Sequence, residues 1–277
     1  MAQIETTPAL ATNVFEPGSL GFQCKSVKSS CDSSSPPKPL FIVTPTVEGT
    51  YPVLLFLPGT QVRNTSYSRM FQLIASHGFI VVAPQLYSCA LVPETEEINS
   101  AAAVTNWLPT GLPSALPPTI HPNLQLLALS GHSRGGKSAF ALALGRSSPA
   151  TSLPFSALIA LDPVAGFCCF RIPPHILTYV PRSFDLTIPV AVIGTGLGPE
   201  RKLGILPACA PNGMNHDEFF TDGDGKGGKD GFRACLAGVF VAFMRAFLER
   251  ESGDLRVIVD NPGVAPVTLD PVIFVEK

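Results

Sequence analysis

An α/β fold with a mostly parallel central sheet flanked by helices follows from three features of the sequence. Short apolar runs of β-forming residues, among them Val53 to Leu57, Phe79 to Ala83, Ala157 to Leu161 and Ile188 to Ile193, alternate with segments of helical period. A leucine-rich run from Leu124 to Leu129 opens into Gly131-His132-Ser133-Arg134-Gly135-Gly136 and then into a small-residue segment, which reads as strand, sharp turn and helix. The 157–161 run ends directly on Asp162-Pro163, at a strand's carboxyl end, where functional groups collect in open α/β sheets. With 277 residues, 45% hydrophobic and 14% charged, the chain suffices for a single domain over 1–277, with 1–37 a Ser/Pro-rich N-terminal arm.

Within that arm the low-complexity stretch Ser29 to Pro37 allows either an extended arm or an edge hairpin. Leu40 to Thr44 and Val53 to Leu57, separated by Glu48-Gly49, predict a hairpin feeding the sheet. Ser68 to Ser76 predicts a helix with Met70, Phe71, Ile74 and Ala75 on one face, stopped by Gly78, with His77 at its end as a capping group. Glu94 to Trp107 predicts a second helix, its acids in the first turn where they suit the helix dipole, ended by Pro109 and followed by a loop through Leu112 and Pro118. After the Ser133 turn, Ser138 to Leu144 is a helix ending on Gly145. Phe232 to Glu249 carries Leu236, Val239, Phe240, Phe243 and Phe247 at helical spacing, and Leu255 to Val275 ends the chain in β-rich runs broken by prolines.

The chemistry centres on Ser133. Its flanking glycines suit a strained elbow that lifts the serine out of the sheet, with the helix N-terminus and the Arg134 N–H aimed where an oxyanion would form. The turn Pro58-Gly59-Thr60 after a core strand offers a second oxyanion donor in the Thr60 N–H, or is an ordinary turn. Asp162 is placed to orient a histidine, or starts an Asp-Pro turn.

Other patterns carry less. A net charge of −2 and a pI near 6.2 offer no basic surface for nucleic acid. Seven scattered cysteines lack metal-ligand spacing; most read as free thiols, one or two disulfides staying open, and no metal or other cofactor is expected. The glycines after Ile193 lack a dinucleotide frame. The Asp222-Gly-Asp-Gly stretch fails as a calcium loop, because Arg233 stands at position twelve. No run of eighteen apolar residues appears, and the first residues fit neither a secretory signal nor a transit peptide.

Four blocks resemble the plant chlorophyllases: Gly131 to Lys137, Ser76 to Tyr87, Ser100 to Trp107 and Asn215 to Phe220, within a likeness running from Val14 to Met244. The resemblance implies an α/β-hydrolase that cleaves the phytyl ester of chlorophyll to chlorophyllide and phytol by a metal-free Ser-Asp-His mechanism. Ser133 matches the nucleophile and Asp162 the acid. The family's Tyr-Gly-His-x-Asp segment, which carries its triad histidine, is missing here between Phe220 and Phe232. His216 is the remaining candidate base in Ser, Asp, His order, and His132 is expected to shape the pocket. Two other readings stay open: an impaired member that binds tetrapyrrole or a partner, and an esterase for another apolar ester. Loss of a strand with that segment would expose a sheet edge and lower stability. A membrane-borne substrate implies a peripheral membrane contact, in the chloroplast or the cytosol.

Overall fold

The computed structural model describes residues 12–32, 34–87, 92–167, 170–171, 173–177, 184–194, 201–202, 206–207 and 229–275. Seven strands form one sheet: β1 (Phe22–Val27), β2 (Leu40–Pro45), β3 (Gly49–Leu57), β4 (Ile80–Pro84), β5 (Ile120–His132), β6 (Ala157–Leu161) and β7 (Val190–Ile193), in the order β1-β2-β4-β3-β5-β6-β7. The β1/β2 and β2/β4 pairs are antiparallel and all later pairs parallel. This is the expected α/β-hydrolase architecture, and of the two readings of the N-terminal stretch the edge hairpin is the one adopted.

Helices α1 (Ser68–Ser76), α4 (Lys229–Met244, extended by a π-turn to Glu249) and α5 (Gly253–Asp260) cover one face, and α2 (Glu94–Ala115) and α3 (Arg134–Ala143) cover the other. Strand alternation divides the core between them. Val53, Leu55 and Leu57 of β3 face α2 and α3, whereas Leu54 and Phe56 face α1 and α4. Each of these side chains is fully buried, which stabilises the fold by roughly 1.5–3 kcal/mol apiece.

Three sequence expectations are corrected. First, β2 and β3 form no hairpin with each other, because β4 lies between them. The apolar run of β4 is buried at every position and takes an interior slot, paired on both edges. Second, α2 continues through Pro109 and Pro113 to Ala115. Both prolines lie on an exposed stripe, while Leu108, Leu112 and Ala115 are buried on the other side, so packing of that face carries the helix past them. Third, Leu255 to Asp260 is helical, with Val257 and Ile258 buried, and no strand follows among the described residues.

Asp230–Glu249 is long and apolar enough to cross a membrane by composition, yet Phe232, Leu236, Phe240 and Met244 are buried in the core. The last strand of the sheet, β7, leaves Val190 38% and Val192 59% exposed, as expected of an edge. The 195–200 and 208–228 stretches, with Cys209, His216 and the Asp222 loop, lie outside the described residues, as do Cys89, Cys168 and Cys169. Cys24, Cys31 and Cys235 are free thiols.

Candidate active site

Strand β5 ends at His132 and α3 begins at Arg134, so Ser133 alone makes the turn, at φ 56° and ψ −123°. That backbone conformation is strained for any residue with a Cβ and marks a nucleophile elbow. The helix can fold back tightly because a Cβ on Gly131 would strike the Gly135 carbonyl, and one on Gly135 would strike the Leu57 and Pro58 carbonyls at the end of β3. The elbow is held by backbone bonds: Ser133 N–H donates to Leu161 O (2.9 Å), and Ser133 O accepts from Gly136 N–H (3.0 Å) and Val164 N–H (3.1 Å).

Asp162 stands next to it. In the parallel β5/β6 register His132 pairs with Leu161, so Ser133 and Asp162 are the first residues beyond two adjacent strands. Asp162 is 2% exposed, sits at φ 41°, and donates its N–H to Ile193 O at 2.8 Å. The β3/β5 register pairs Leu57 with Gly131, which brings Pro58-Gly59-Thr60 alongside His132-Ser133. Thr60 therefore approaches the nucleophile from one side, while Arg134 opens α3 with the first N–H groups that no helical carbonyl can use. Ser133, Asp162, Thr60 and Arg134 are brought together; His216 lies outside the described residues. Among the described residues no cluster of three metal-ligating side chains occurs.

Beside the elbow lies a polar cluster that sequence reasoning missed. Lys137 Nζ contacts Glu94 Oε2 at 2.9 Å and donates to Ala165 O at 3.1 Å, and Arg134 Nε contacts Glu97 Oε2 at 2.7 Å. Ser138 Oγ donates to Glu97 Oε1 at 2.7 Å, Arg134 Nη2 donates to Val92 O, and the Arg134 guanidinium lies 5.5 Å from the Tyr87 ring centroid. The Glu94 and Lys137 side chains are each 1% exposed. Glu94 and Glu97 are thus buried partners of α3, where the sequence suggested only first-turn companions of the helix dipole; Glu96 is exposed. A signal was present: Glu94-x-x-Glu97 on one helix and Arg134-x-x-Lys137 on the next carry opposite charges at the same one-turn spacing. Burial pushes Glu94 and Glu97 above the ordinary carboxylate range and Lys137 below the ordinary lysine value, in each case against the pull of its partner. Burial likewise raises the Tyr87 phenol.

Comparison with known proteins identifies the frame. The chlorophyllase family model matches residues 10–226 and 223–276. Chlorophyllase-1 of Arabidopsis thaliana is 41% identical over 315 aligned positions, covering 98% of this chain and 96% of that protein. The chloroplastic chlorophyllase-1 of Citrus unshiu is 42% identical over 318 positions, covering 99% and 93%. Chlorophyllase-2 of Arabidopsis thaliana is 41% identical over 274 positions, covering 86% of each. An alignment of 315 positions against a chain of 277 residues means that the relative carries residues this chain lacks, and the family match falls in two pieces that overlap at 223–226. With both pieces of that match together spanning nearly the whole sequence, the chain belongs to the chlorophyllase family.

Proposed function

We propose that this chain is a serine esterase that hydrolyses the phytyl ester of chlorophyll, releasing chlorophyllide and phytol. The observation that carries the reading is the Ser133 elbow, with the buried Asp162 at the end of the adjacent strand. Ser133 Oγ attacks the ester carbonyl as a base removes its proton. The oxyanion so formed accepts hydrogen bonds from the Thr60 and Arg134 N–H groups. Collapse expels the phytyl alkoxide, which takes the proton from the base, and leaves a chlorophyllide acyl group on Ser133. Water, activated by the same base, then releases the chlorophyllide acid.

Asp162 is the acid that orients this base, and His216 stands in as the base: its block accompanies the triad histidine in the family and does not supply it, but His216 keeps the order Ser, Asp, His. The split of the family match into two pieces that overlap at 223–226 favours a second reading, in which the frame has lost its triad histidine and binds chlorophyll or a partner without turnover. Loss of the base leaves roughly 10³–10⁴-fold of catalysis over water, from oxyanion hole and binding alone. The names of the Citrus relatives support a chloroplast location, and a membrane-borne substrate supports a peripheral membrane contact.

Chlorophyllide release from solubilised chlorophyll a, measured for the purified chain beside Ser133→Ala and His216→Ala, decides between the readings. Activity abolished by either substitution supports the esterase with His216 as base. Activity that survives His216→Ala excludes that base. A folded chain that releases no chlorophyllide favours the binding reading.

A further inference from the structure

The loop between β3 and α1 carries Thr60 and holds the non-glycine residue Gln61 at φ 58°, a conformation that needs support from its surroundings. Gln85, just beyond β4, clamps its far end. Gln85 Oε1 accepts Asn64 N–H at 2.9 Å, and its Nε2 donates to Val62 O at 3.2 Å and Tyr87 O at 2.8 Å. The near end is held by Tyr67, whose Oη accepts Gly59 N–H at 3.1 Å and is hydrogen-bonded to His132 Nδ1 at 2.8 Å.

Tyr67 and His132 are each 1% exposed. The Tyr67 ring is fixed by Phe56 and Phe71, at centroid distances of 4.8 Å and 5.8 Å. The approach is close: a Cβ on Gly59 would stand 2.8 Å from His132 Nδ1 and 3.2 Å from Ser133 Cβ. One buried hydroxyl thus ties the residue before Thr60 to the residue before Ser133.

We propose that Tyr67 and His132 are positioning residues of the oxyanion hole, their hydrogen-bonded pair setting the separation between the Thr60 N–H and Ser133. This rests on the esterase reading, in which Thr60 and Arg134 supply the oxyanion donors. A donor is effective only when already aimed at the position the oxyanion will occupy, so loosening the loop lowers kcat more than it raises KM.

The test is Tyr67→Phe, which removes one oxygen from an aromatic pocket, with His132→Phe and the double variant alongside. Steady-state hydrolysis of a p-nitrophenyl ester and amide hydrogen exchange over 58–62 are measured, with the β5 amides of Leu127 and Leu129 as internal reference. Tyr67→Phe is expected to lower kcat about 10- to 100-fold, a fraction of the full loss of an oxyanion donor, with KM changed less than about twofold. Exchange over 58–62 should accelerate at least about tenfold while the β5 amides keep their protection. The double variant should fall well short of the product of the two single losses, because the His132 effect on the loop runs through the Tyr67 hydroxyl. Unchanged kcat with unchanged loop exchange overturns the proposal, as does acceleration shared equally by β5, which indicates general destabilisation. If the wild-type chain hydrolyses no ester the esterase reading fails separately, and loop exchange alone then decides the positioning role.

Discussion

Lys137→Met is the most informative perturbation of the buried charges. The lysine is 1% exposed and lies 2.9 Å from the equally buried Glu94. Removing one member of such a pair leaves an uncompensated carboxylate in an apolar site, a loss of about 3–5 kcal/mol. Arg134 also draws on Glu94, which places the expected cost near the lower end, about 3 kcal/mol. For a chain of this size that corresponds to a fall in Tm of roughly 6–12 °C. The loss depends on pH. Burial already holds Glu94 above its ordinary 4.5, and the variant loses the Lys137 hydrogen bond and charge that oppose the shift, so the folded-state value rises further. The folded state then keeps a proton that the unfolded state has released, and stability falls as pH rises from the ordinary value through the raised one. The difference in Tm between variant and wild type should therefore be small near pH 5 and large at pH 8, by calorimetry, and Glu94→Gln added to Lys137→Met should restore most of it. A Lys137→Met chain whose Tm matches wild type at pH 8, or whose deficit is the same at both values, refutes the reasoning.

Further perturbations address other elements. His77 accepts from Arg245 Nη2 at Nδ1 (3.1 Å) and donates Nε2–H to Glu16 O (2.9 Å), an arrangement that requires the neutral ring. Burial is the first cause holding its pKa below 6.5, with the Arg245 charge adding to it and Asp254 opposing. The unfolded chain takes up the proton first as pH falls, so this contribution to stability is present above pH 6.5 and lost below it; His77→Gln should flatten that part of a Tm-versus-pH curve. Pro109→Ala should stabilise by about 2–3 kcal/mol, because an interior helical proline costs about 3 kcal/mol and its stiffening of the unfolded chain offsets up to about 1. A lower Tm for that variant would show that Pro109 packs or shapes α2 in a way its exposure does not suggest.

The strand, turn and helix around Ser133 were legible because each of their parts is local. Apolar runs of five or six residues, two glycines and a small-residue helix specify β5, the elbow and α3 without reference to distant residues, and Asp162 follows from the end of the next run. What escaped depends on packing between elements. Pro109 reads as a stop until Leu108 and Leu112 are known to be buried on the opposite side of the helix. Val257-Ile258-Val259 favours a strand by local propensity, yet Val257 and Ile258 are buried in a helix and its loss of χ1 freedom is overridden. Glu94 and Glu97 look like ordinary first-turn acids until α3 is laid against them. Tyr67 and His132 are 65 positions apart, and nothing along the chain pairs a tyrosine after one strand with the histidine ending another.

The same division between local and distant structure bears on the missing histidine. Ser133, Asp162, Thr60 and Arg134 all lie within 58–165, positioned by the ends of β3, β5 and β6, by the Gly131/Gly135 contact and by the Lys137 bond to Ala165. The base of the proposed esterase, His216, lies beyond β7 and outside the described residues. Loss of family residues near 223–226 would leave the Gly131/Gly135 contact and the β5/β6 register untouched, so the elbow can outlast a base. Reactivity of Ser133 and stability of the elbow are accordingly independent observables. If the chain is an esterase, a serine-directed phosphonate should label Ser133 quickly, and His216→Ala should slow labelling at least about 100-fold with the Tm unchanged. Slow labelling of a wild-type chain that melts cooperatively would instead place the loss in the base alone, with the oxyanion loop, the Asp162 turn and the α2/α3 charge network all surviving it.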